Sequence, residues 1–277
     1  MVQCNSWSPQ GTLLGPTSFL LHINCLATEC NAIKYFDDAT IWEKCARDGS
    51  DSKLQIAANE ALDWSNKNRM LINTDKTKMM TVYFGRKQSN IRQISMNKHE
   101  IESVESFKAL GVLFNCKLTW QDHVLYMSNK ASKRLYFLVI LKRAGLSAED
   151  LTQIYCSIVR SVLEYAAELW HPGLIKEQSK KLEQVQKRAV NIILPGIDYL
   201  TACNNLGLDT LHQRRENMCQ KFFISVQKED HKLHNLLPPS RPTHGRTLRN
   251  PNKYQTPRIR TERFKRSPII YGLLNYQ

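Results

Sequence analysis

Apolar side chains recur at helical spacing in several parts of the chain. Side chains that recur every three or four positions lie on one face of a helix and predict that this face is buried. One such series runs through residues 48–69, with Trp64 beside it. Its members are Leu54, Ala57, Ala58, Ala61, Leu62 and Ser65. The pattern predicts one amphipathic helix in this segment.

A longer helical pattern begins after residue 120. Its three series are Val124, Met127, Ala131, Leu135, Leu138 and Leu141; Leu151, Ile154, Tyr155, Ile158, Val162 and Tyr165; and Leu182, Val185, Ala189, Ile192 and Ile193. Ser147 precedes Glu149 and Asp150, which is typical of a capped helix start. Another helical stretch covers residues 206–226. This region therefore predicts an all-α bundle.

Strand-like segments occupy the first part of the chain. Residues 31–34 and 39–42 are apolar enough for two strands, and a tight turn between them would contain Asp37 and Asp38. Residues 79–84 form another strand-like run, and residues 91–114 alternate as short strands do, with a hairpin turn at 97–100. The predicted fold class is α+β, with antiparallel β-hairpins packed against helices.

The three kinds of pattern divide the chain into three parts. Residues 1–120 are of mixed type, residues 121–237 are helical, and residues 238–277 form a tail rich in Pro and Arg in which the periodicity fades. The chain has 277 residues, of which 42% are hydrophobic, so it can form real cores.

Charge is concentrated at the end of the chain. The net charge is +14, and after residue 240 only Glu262 is acidic. The basic residues there are Arg241, Arg246, Arg249, Lys253, Arg258, Arg260, Arg263, Lys265 and Arg266. Such a segment indicates either a nucleic-acid contact or a solubilising disordered tail. In the first case Tyr254, Phe264 and Tyr271 would be available to stack on bases.

The eight cysteines show no regular spacing and no Cys-x-x-Cys pair, which is typical of reduced intracellular thiols. His22, Cys25, Cys30 and Cys45 are spaced unlike a structural zinc loop, so no zinc is expected. No apolar run is long enough to span a bilayer, and the start lacks the basic region of a signal peptide. We expect a non-secreted, intracellular protein without a membrane partner.

The adjacent carboxylates at the expected turn are the first candidate for chemistry. Asp37 and Asp38 would repel each other unless a cation lay between them, and Mg²⁺ prefers carboxylate and phosphate oxygens. The alternative is an ordinary Asp-Asp turn with solvated side chains, since turns favour Asp for local reasons.

A glycine-containing loop precedes this turn. It reads Pro9-Gln10-Gly11, continues to Gly15-Pro16, and is followed by Phe19 and an apolar helix. Gly11 allows a backbone to approach a ligand closely, and Pro16 suits the first turn of a helix. A loop of this kind before a core helix is by itself unremarkable.

The ordered pair of motifs resembles the reverse transcriptases of non-LTR, jockey-like retrotransposons. The glycine loop resembles their palm motif B, and Tyr-x-Asp-Asp resembles their motif C. The resemblance implies that Asp37 and Asp38 are catalytic ligands of Mg²⁺ or Mn²⁺. It also implies a nucleotide- and template-binding set: Gln10, Gly11, Gly15, Pro16, Tyr35 and Phe36.

Weaker resemblances extend along the chain. The segment 71–77 resembles motif D, which implies that Lys76 lies near the leaving pyrophosphate; the alternative is an ordinary turn lysine. Leu110 and Gly111 resemble the hairpin that grips the primer. The bundle occupies the position of the thumb, and its first helix carries basic residues that either contact the nucleic-acid backbone or form a solvated face. These are Lys130, Lys133, Arg134, Lys142 and Arg143.

The resemblance implies RNA-directed DNA polymerisation by two-metal nucleotidyl transfer, with an RNA template, a DNA primer and nucleoside triphosphates as partners. The family's motif A aspartate and its fingers precede motif B, and no Asp or Glu precedes Pro9. Phe36 replaces the small residue that is usual there. We therefore expect an inactive polymerase segment acting in the nucleus or cytoplasm. The alternative is a non-enzymatic nucleic-acid-binding remnant, and protein partners are not indicated.

Overall fold

The computed structural model describes residues 14–46, 49–85, 92–241 and 253–277. The chain divides into two compact units. The first comprises Met1–Phe107 and Asn115–Leu118, and the second comprises Lys108–Phe114 and Thr119–Gln277. Helices and small β-sheets occur together in the described residues, which confirms the α+β class.

The first unit begins with a helix and a β-hairpin. Helix α1 spans Leu14–Asn24, strands β1 and β2 span Asn31–Tyr35 and Asp38–Trp42, and helix α2 spans Leu54–Lys67. The predicted stripe of α2 is confirmed, because its buried residues are Ala57, Ala58, Ala61, Leu62 and Ser65. One small core joins these elements: Ile23, Leu26 and Ala61, with Phe19, Ile41, Trp64 and Ile72 packed against them.

Six short strands follow in residues 68–85 and 92–115. They are β3 Lys78–Met79, β4 Ser95–Met96, β5 His99–Glu100, β6 Glu102–Ser103, β7 Ser106–Ala109 and β8 Val112–Asn115. The expected hairpin turn is confirmed, since β4 and β5 pair antiparallel around Asn97 and Lys98, which both have positive φ. The strand expected at 79–84 is wrong in extent. Only β3 forms at the start of this segment, and it is short because it pairs with β6, in parallel, over two residues.

The second unit is a helical bundle. Its helices are α3 Gln121–Arg143, α4 Ala148–Ile154, α5 Ser161–Glu164, α6 Ala167–Trp170, α7 Lys176–Ile193, α8 Tyr199–Asn205, α9 Leu211–Val226, α10 Glu262–Lys265 and α11 Pro268–Asn275. A π-helical segment, Tyr155–Arg160, joins α4 to α5, and 3-10 turns lie at His171–Gly173 and His234–Leu236. The Ser147 cap is confirmed, since its hydroxyl accepts from the Asp150 amide at 3.1 Å.

The apolar series predicted after residue 120 form one continuous core. Most of their members are buried together, while Leu141, Ile154, Ile158, Val162 and Ile192 pack at its margin. Tyr165 departs from the prediction and is largely exposed. The left-handed conformation of Ala166 ends the helix beside it, so Tyr165 leaves the buried stripe.

The C-terminal segment is more ordered than its composition indicates. Residues of α11 form a core cluster with α9 and with Tyr254, comprising Phe223, Tyr254, Ile270 and Leu273. Gly272 permits the contact, because a Cβ there would lie 2.1 Å from Phe223 Cδ2. The expectation that Tyr254 is available for base stacking is wrong, since this packing leaves it only 3% exposed.

Candidate functional site

A tight turn joins β1 to β2, as the sequence predicts. Tyr35 pairs with Asp38 and Lys34 pairs with Ala39, so Phe36 and Asp37 form the turn and Asp38 begins β2. Phe36 has a φ of 52°, in the left-handed region that disfavours a side chain with a Cβ. The strained turn exposes both Asp37 and Asp38 at the tip of the hairpin.

The two faces of the hairpin differ. Successive strand residues point to opposite faces, so the cross-strand pairs Ile33–Thr40 and Tyr35–Asp38 share one face. That face is open, since Ile33 is 60% exposed and Tyr35 is 56% exposed. Ile41, on the other face, packs into the core with α1 and α2. The hairpin is therefore supported from one side, and Asp38 lies on the unsupported side.

Lys34 attaches the supported face to the end of α1. Its ammonium donates to the carbonyl oxygens of Ile23, Asn24 and Leu26 at 3.3, 2.9 and 2.6 Å. The last carbonyls of a helix have no partner within the helix and attract positive charge. Lys34 thus holds α1 to the β1–β2 hairpin. Sequence reasoning missed this role; its only signal is a lysine at an inward position of β1.

The carboxylates of Asp37 and Asp38 have no partner in the described part of the chain. Neither makes a hydrogen bond or an ion pair there, and no group of three or more His, Cys, Asp or Glu residues in that part could hold a metal ion. Hard carboxylate oxygens that are free of cationic partners suit Mg²⁺ or Mn²⁺ chemically. Two carboxylates supply only part of an octahedral shell, so the remaining ligands must come from elsewhere.

The other predicted nucleotide-site residues are only partly accounted for. Gln10 and Gly11 lie outside the described residues. Gly15 is buried in the first turn of α1, and Pro16 beside it is exposed. Lys76 is exposed on a turn, where its amide donates to the Asn73 side chain at 3.0 Å. No hydrogen bond or ion pair of the Lys76 ammonium occurs in the described residues, so its role stays a prediction.

The predicted primer-grip residues form the turn between β7 and β8. Leu110 and Gly111 have φ values of 46° and 86°. The Tyr165 hydroxyl donates to the Leu110 carbonyl at 2.8 Å, and a Cβ on Gly111 would lie 3.0 Å from Tyr165 Cε1. This turn is therefore fixed by the helical bundle, and its contact with a primer stays a prediction.

The basic residues of α3 fall into two groups. Lys130, Lys133 and Arg143 are exposed. Arg134 donates to the Ile158 carbonyl, and Lys142 donates to the carbonyls of Ile192 and Ile193 at the end of α7. These two cations cap helical carbonyls, which gives them a structural role. A nucleic-acid contact by the set remains a prediction.

A buried polar network in the bundle was missed by sequence reasoning. Arg215 is 0% exposed, and it donates through Nε to His171 Nδ1 at 3.2 Å and through Nη2 to Ser179 Oγ at 3.1 Å. Burial lowers the pKa of Arg215 to about 10 and that of His171 to about 4. Neutral His171 then donates from Nε2 to Glu216 at 3.0 Å.

Glu216 links this network to the C-terminal helix. Its carboxylate accepts from the hydroxyls of Tyr271 at 3.0 Å and Tyr276 at 2.6 Å. Burial tends to raise the pKa of Glu216, but hydrogen bonds from Tyr276, His171 and Tyr271 leave this pKa below its usual value.

No helix among the described residues is long and apolar enough to cross a membrane.

Three curated relatives are similar in sequence to this chain over more than half of its length. The probable RNA-directed DNA polymerase from transposon X-element of Drosophila melanogaster is 22% identical over 259 residues, which are 88% of this chain and 28% of that protein. The RNA-directed DNA polymerase from mobile element jockey of the same species is 22% identical over 238 residues, 78% of this chain and 25% of that protein. Its Drosophila funebris counterpart is 24% identical over 177 residues, 58% of this chain and 19% of that protein.

No family model and no solved structure matches the chain. The chain spans about a quarter of the length of the two D. melanogaster relatives. These similarities agree with the motifs around Gly15 and Asp37. The chain is therefore similar to part of the RNA-directed DNA polymerases of the Drosophila mobile elements X-element and jockey.

Proposed function

We propose that the chain is a segment of an RNA-directed DNA polymerase in which the first unit contributes part of a palm and the bundle acts as a thumb. The observation that carries the proposal is the β1–β2 turn, which presents two adjacent carboxylates with no partner among the residues that the structure describes. Its position after a glycine loop and helix matches the order of motifs in the relatives' family.

Asp37 and Asp38 would hold divalent metal ions at this turn. Such ions, when bound, activate the primer 3′-hydroxyl and neutralise the charge of the triphosphate. Tyr35 and Phe36 flank the carboxylates and would bound the space for the nucleotide and primer end. Lys34 would keep the hairpin in place against α1, and Lys76 would stabilise negative charge on the leaving pyrophosphate.

The proposed partners are an RNA template, a DNA primer and nucleoside triphosphates, in the nucleus or cytoplasm. Lys130, Lys133 and Arg143 would contact the nucleic-acid backbone. The chain alone supplies two carboxylates at one turn, and we expect it to bind metal weakly and not to extend a primer. This shortage of ligands also favours the second candidate, a nucleic-acid-binding protein without catalysis.

Primer extension on an RNA template tests these proposals. We expect no extension by the purified chain with Mg²⁺ or Mn²⁺, together with weak Mn²⁺ binding that Asp37→Asn/Asp38→Asn abolishes. The matched control is Asp63→Asn, which removes an exposed carboxylate of α2. Extension that Asp37→Asn abolishes would contradict the expected inactivity. Mn²⁺ binding that survives the double substitution would contradict the metal-binding role of the turn.

A further inference from the structure

The helical bundle contains a cavity that the proposed polymerase site does not use. Its volume is about 940 Å³, and its walls come from α7, α8, the start of α9, α10 and α11. Three lysines of α7 line it: Lys176, Lys180 and Lys187. All three are exposed and therefore accessible to a ligand in this cavity.

The lining has an excess of positive charge, because five basic side chains (the three lysines, Lys265 and Arg266) face two acids, Glu183 and Glu262. None of the three lysines makes an ion pair in the described parts of the bundle. The two acids of the lining already have other partners. Glu262 pairs with Lys265 at 3.8 Å and with Arg266 at 3.7 Å. Glu183 accepts from the Tyr199 hydroxyl and from the amides of Leu211 and His212 at the start of α9.

Buried Arg215 lies behind the lining residues of the cavity and adds positive charge there. It holds the lining residues His171 and Ser179 by hydrogen bonds, and its Nη1 is buried with no partner among the described residues. His171 in turn donates to Glu216, whose carboxylate also accepts from Tyr271 and Tyr276. The carboxylates of Glu183 and Glu164 offset part of this charge, so the exposed lysines are the main source of attraction for an anion in the cavity.

Two aromatic side chains line the same cavity. Tyr199 and Tyr271 are anchored by their hydroxyls, to Glu183 and Gln186 and to Glu216 respectively. The Lys187 ammonium lies 5.0 Å from the centre of the Tyr199 ring. Fixed aromatic rings beside lysines are the combination with which proteins bind single-stranded nucleic acid, since bases stack on rings while phosphates meet cations.

We propose that this cavity, lined by Lys176, Lys180, Lys187, Tyr199 and Tyr271, binds a short stretch of single-stranded nucleic acid. A rise of about 1.5 Å per residue places Lys176 and Lys187 about 16 Å apart along α7, so the lysines can meet successive phosphates of one strand. The inference rests on the proposed function only in taking nucleic acid as the polyanion. It does not require metal binding by Asp37 or Asp38.

The test is binding of a fluorescently labelled 20-nucleotide RNA without secondary structure, measured by anisotropy at several salt concentrations. Each lysine–phosphate contact contributes about 0.7 to the salt slope of single-strand binding, so Lys176→Gln/Lys180→Gln/Lys187→Gln should reduce that slope by about 2. Lys221→Gln/Lys228→Gln/Lys232→Gln is the matched control, because it removes the same charge from exposed positions outside the cavity. The control should leave the slope within about 0.5 of the original.

Lysine acetylation of the unmodified chain gives a second readout that needs no variant. The RNA should protect Lys176, Lys180 and Lys187 and leave Lys221, Lys228 and Lys232 reactive. Equal losses of binding in the two triple variants, or protection confined to other lysines, would overturn the proposal. Equal competition by inorganic polyphosphate per charge would also overturn it, since the cavity would then recognise charge alone.

The metal-binding proposal for the turn and the RNA-binding proposal for the cavity can be tested separately. Asp37→Asn/Asp38→Asn should abolish Mn²⁺ binding and leave RNA binding by the bundle unchanged. Loss of RNA binding in that variant would contradict an independent site in the cavity. Normal Mn²⁺ binding in the triple lysine variant, whatever its RNA affinity, shows that the turn is unaffected.

Discussion

The two units of the chain bury their residues to very different degrees. The described residues of the first form two small clusters, around Ile23 and around Leu62, and its hairpin leaves one face open. The second has one continuous core around Trp170 and another at α11. The first unit carries the exposed carboxylates, whereas the second carries most of the buried apolar surface. The candidate chemistry therefore lies in the unit with the smaller buried cores.

An isolated hairpin is marginally stable in water, and exposed apolar faces mark sites for further contacts. Leu71 is 99% exposed, and Ile33 and Tyr35 are open on the hairpin. In the bundle, even polar groups such as Arg215 and His171 are buried and bonded. We expect the bundle to unfold at higher denaturant concentration than the first unit.

The largest expected effect is in the bundle core. Trp170→Ala removes a fully buried ring whose Nε1 donates to the Tyr165 carbonyl at 2.9 Å. We expect the bundle to lose about 3–5 kcal/mol of its free energy of unfolding, measured by denaturant titration. Leu71→Ala in the first unit is the control and should change neither transition. An effect of Trp170→Ala below about 1 kcal/mol would contradict the described core.

Acid should weaken the bundle more than the first unit. Burial lowers the pKa of both His123 and His171 to about 4, well below the value of 6.5 in an unfolded chain. The unfolded state therefore binds more protons between these values, and stability falls as pH drops from about 6.5 to 4. Each histidine should contribute about 3 kcal/mol to this loss.

Unfolding by denaturant at pH 7 and pH 4.5 measures this loss. His123→Gln should reduce the pH dependence, because the buried His123 Nε2 has no partner among the described residues. His22→Gln is the control, since that residue lies in the first unit. A pH dependence that His123→Gln leaves unchanged would assign the loss to other groups.

Lys34→Met should weaken the first unit alone. It keeps the aliphatic stem but removes three hydrogen bonds to the carbonyls at the end of α1. We expect a loss of about 1–3 kcal/mol, seen as faster amide exchange in α1 and β1. Lys44→Met, an exposed position just after β2, should leave exchange unchanged. Equal amide exchange in the two variants would contradict the positioning role of Lys34.

The smallest expected effect is at the turn. Phe36→Gly removes the Cβ from a position with left-handed φ and so relieves its backbone strain. It should stabilise the hairpin by about 1 kcal/mol relative to Phe36→Ala, which retains the Cβ. Hydrogen exchange of β1 and β2 measures the difference. Equal exchange in the two variants would indicate that the turn does not hold Phe36 at positive φ.

The sequence predicted the elements that obey one local rule. The stripes of α2 and of the bundle, the Ser147 cap and the turn at Asp37 each follow from spacing over a few residues. The parallel β3–β6 pair and the burial of Tyr254 depend on partners distant in the chain. The eight-residue helix α11 is too short to show a clear period.

The candidate site was predictable only as far as its motif. Asp37 and Asp38 are adjacent in sequence, so their place at the turn could be foreseen. Lys34 contacts a residue 8 positions away, and Arg215 contacts one 44 positions away. The cavity lysines share one wall of a cavity. No local sequence pattern encodes these arrangements. Arg134 and Lys142 resembled a basic helix face but cap carbonyls of other helices.

Mn²⁺-induced broadening of backbone amide resonances tests the central claim most directly. A bound paramagnetic ion broadens the amides nearest to it. We predict broadening centred on Tyr35–Ala39 in the unaltered chain and its loss in Asp37→Asn/Asp38→Asn, with Asp63→Asn unchanged. Broadening centred elsewhere, or persisting in the double variant, would contradict the assignment of the turn as a metal-binding site.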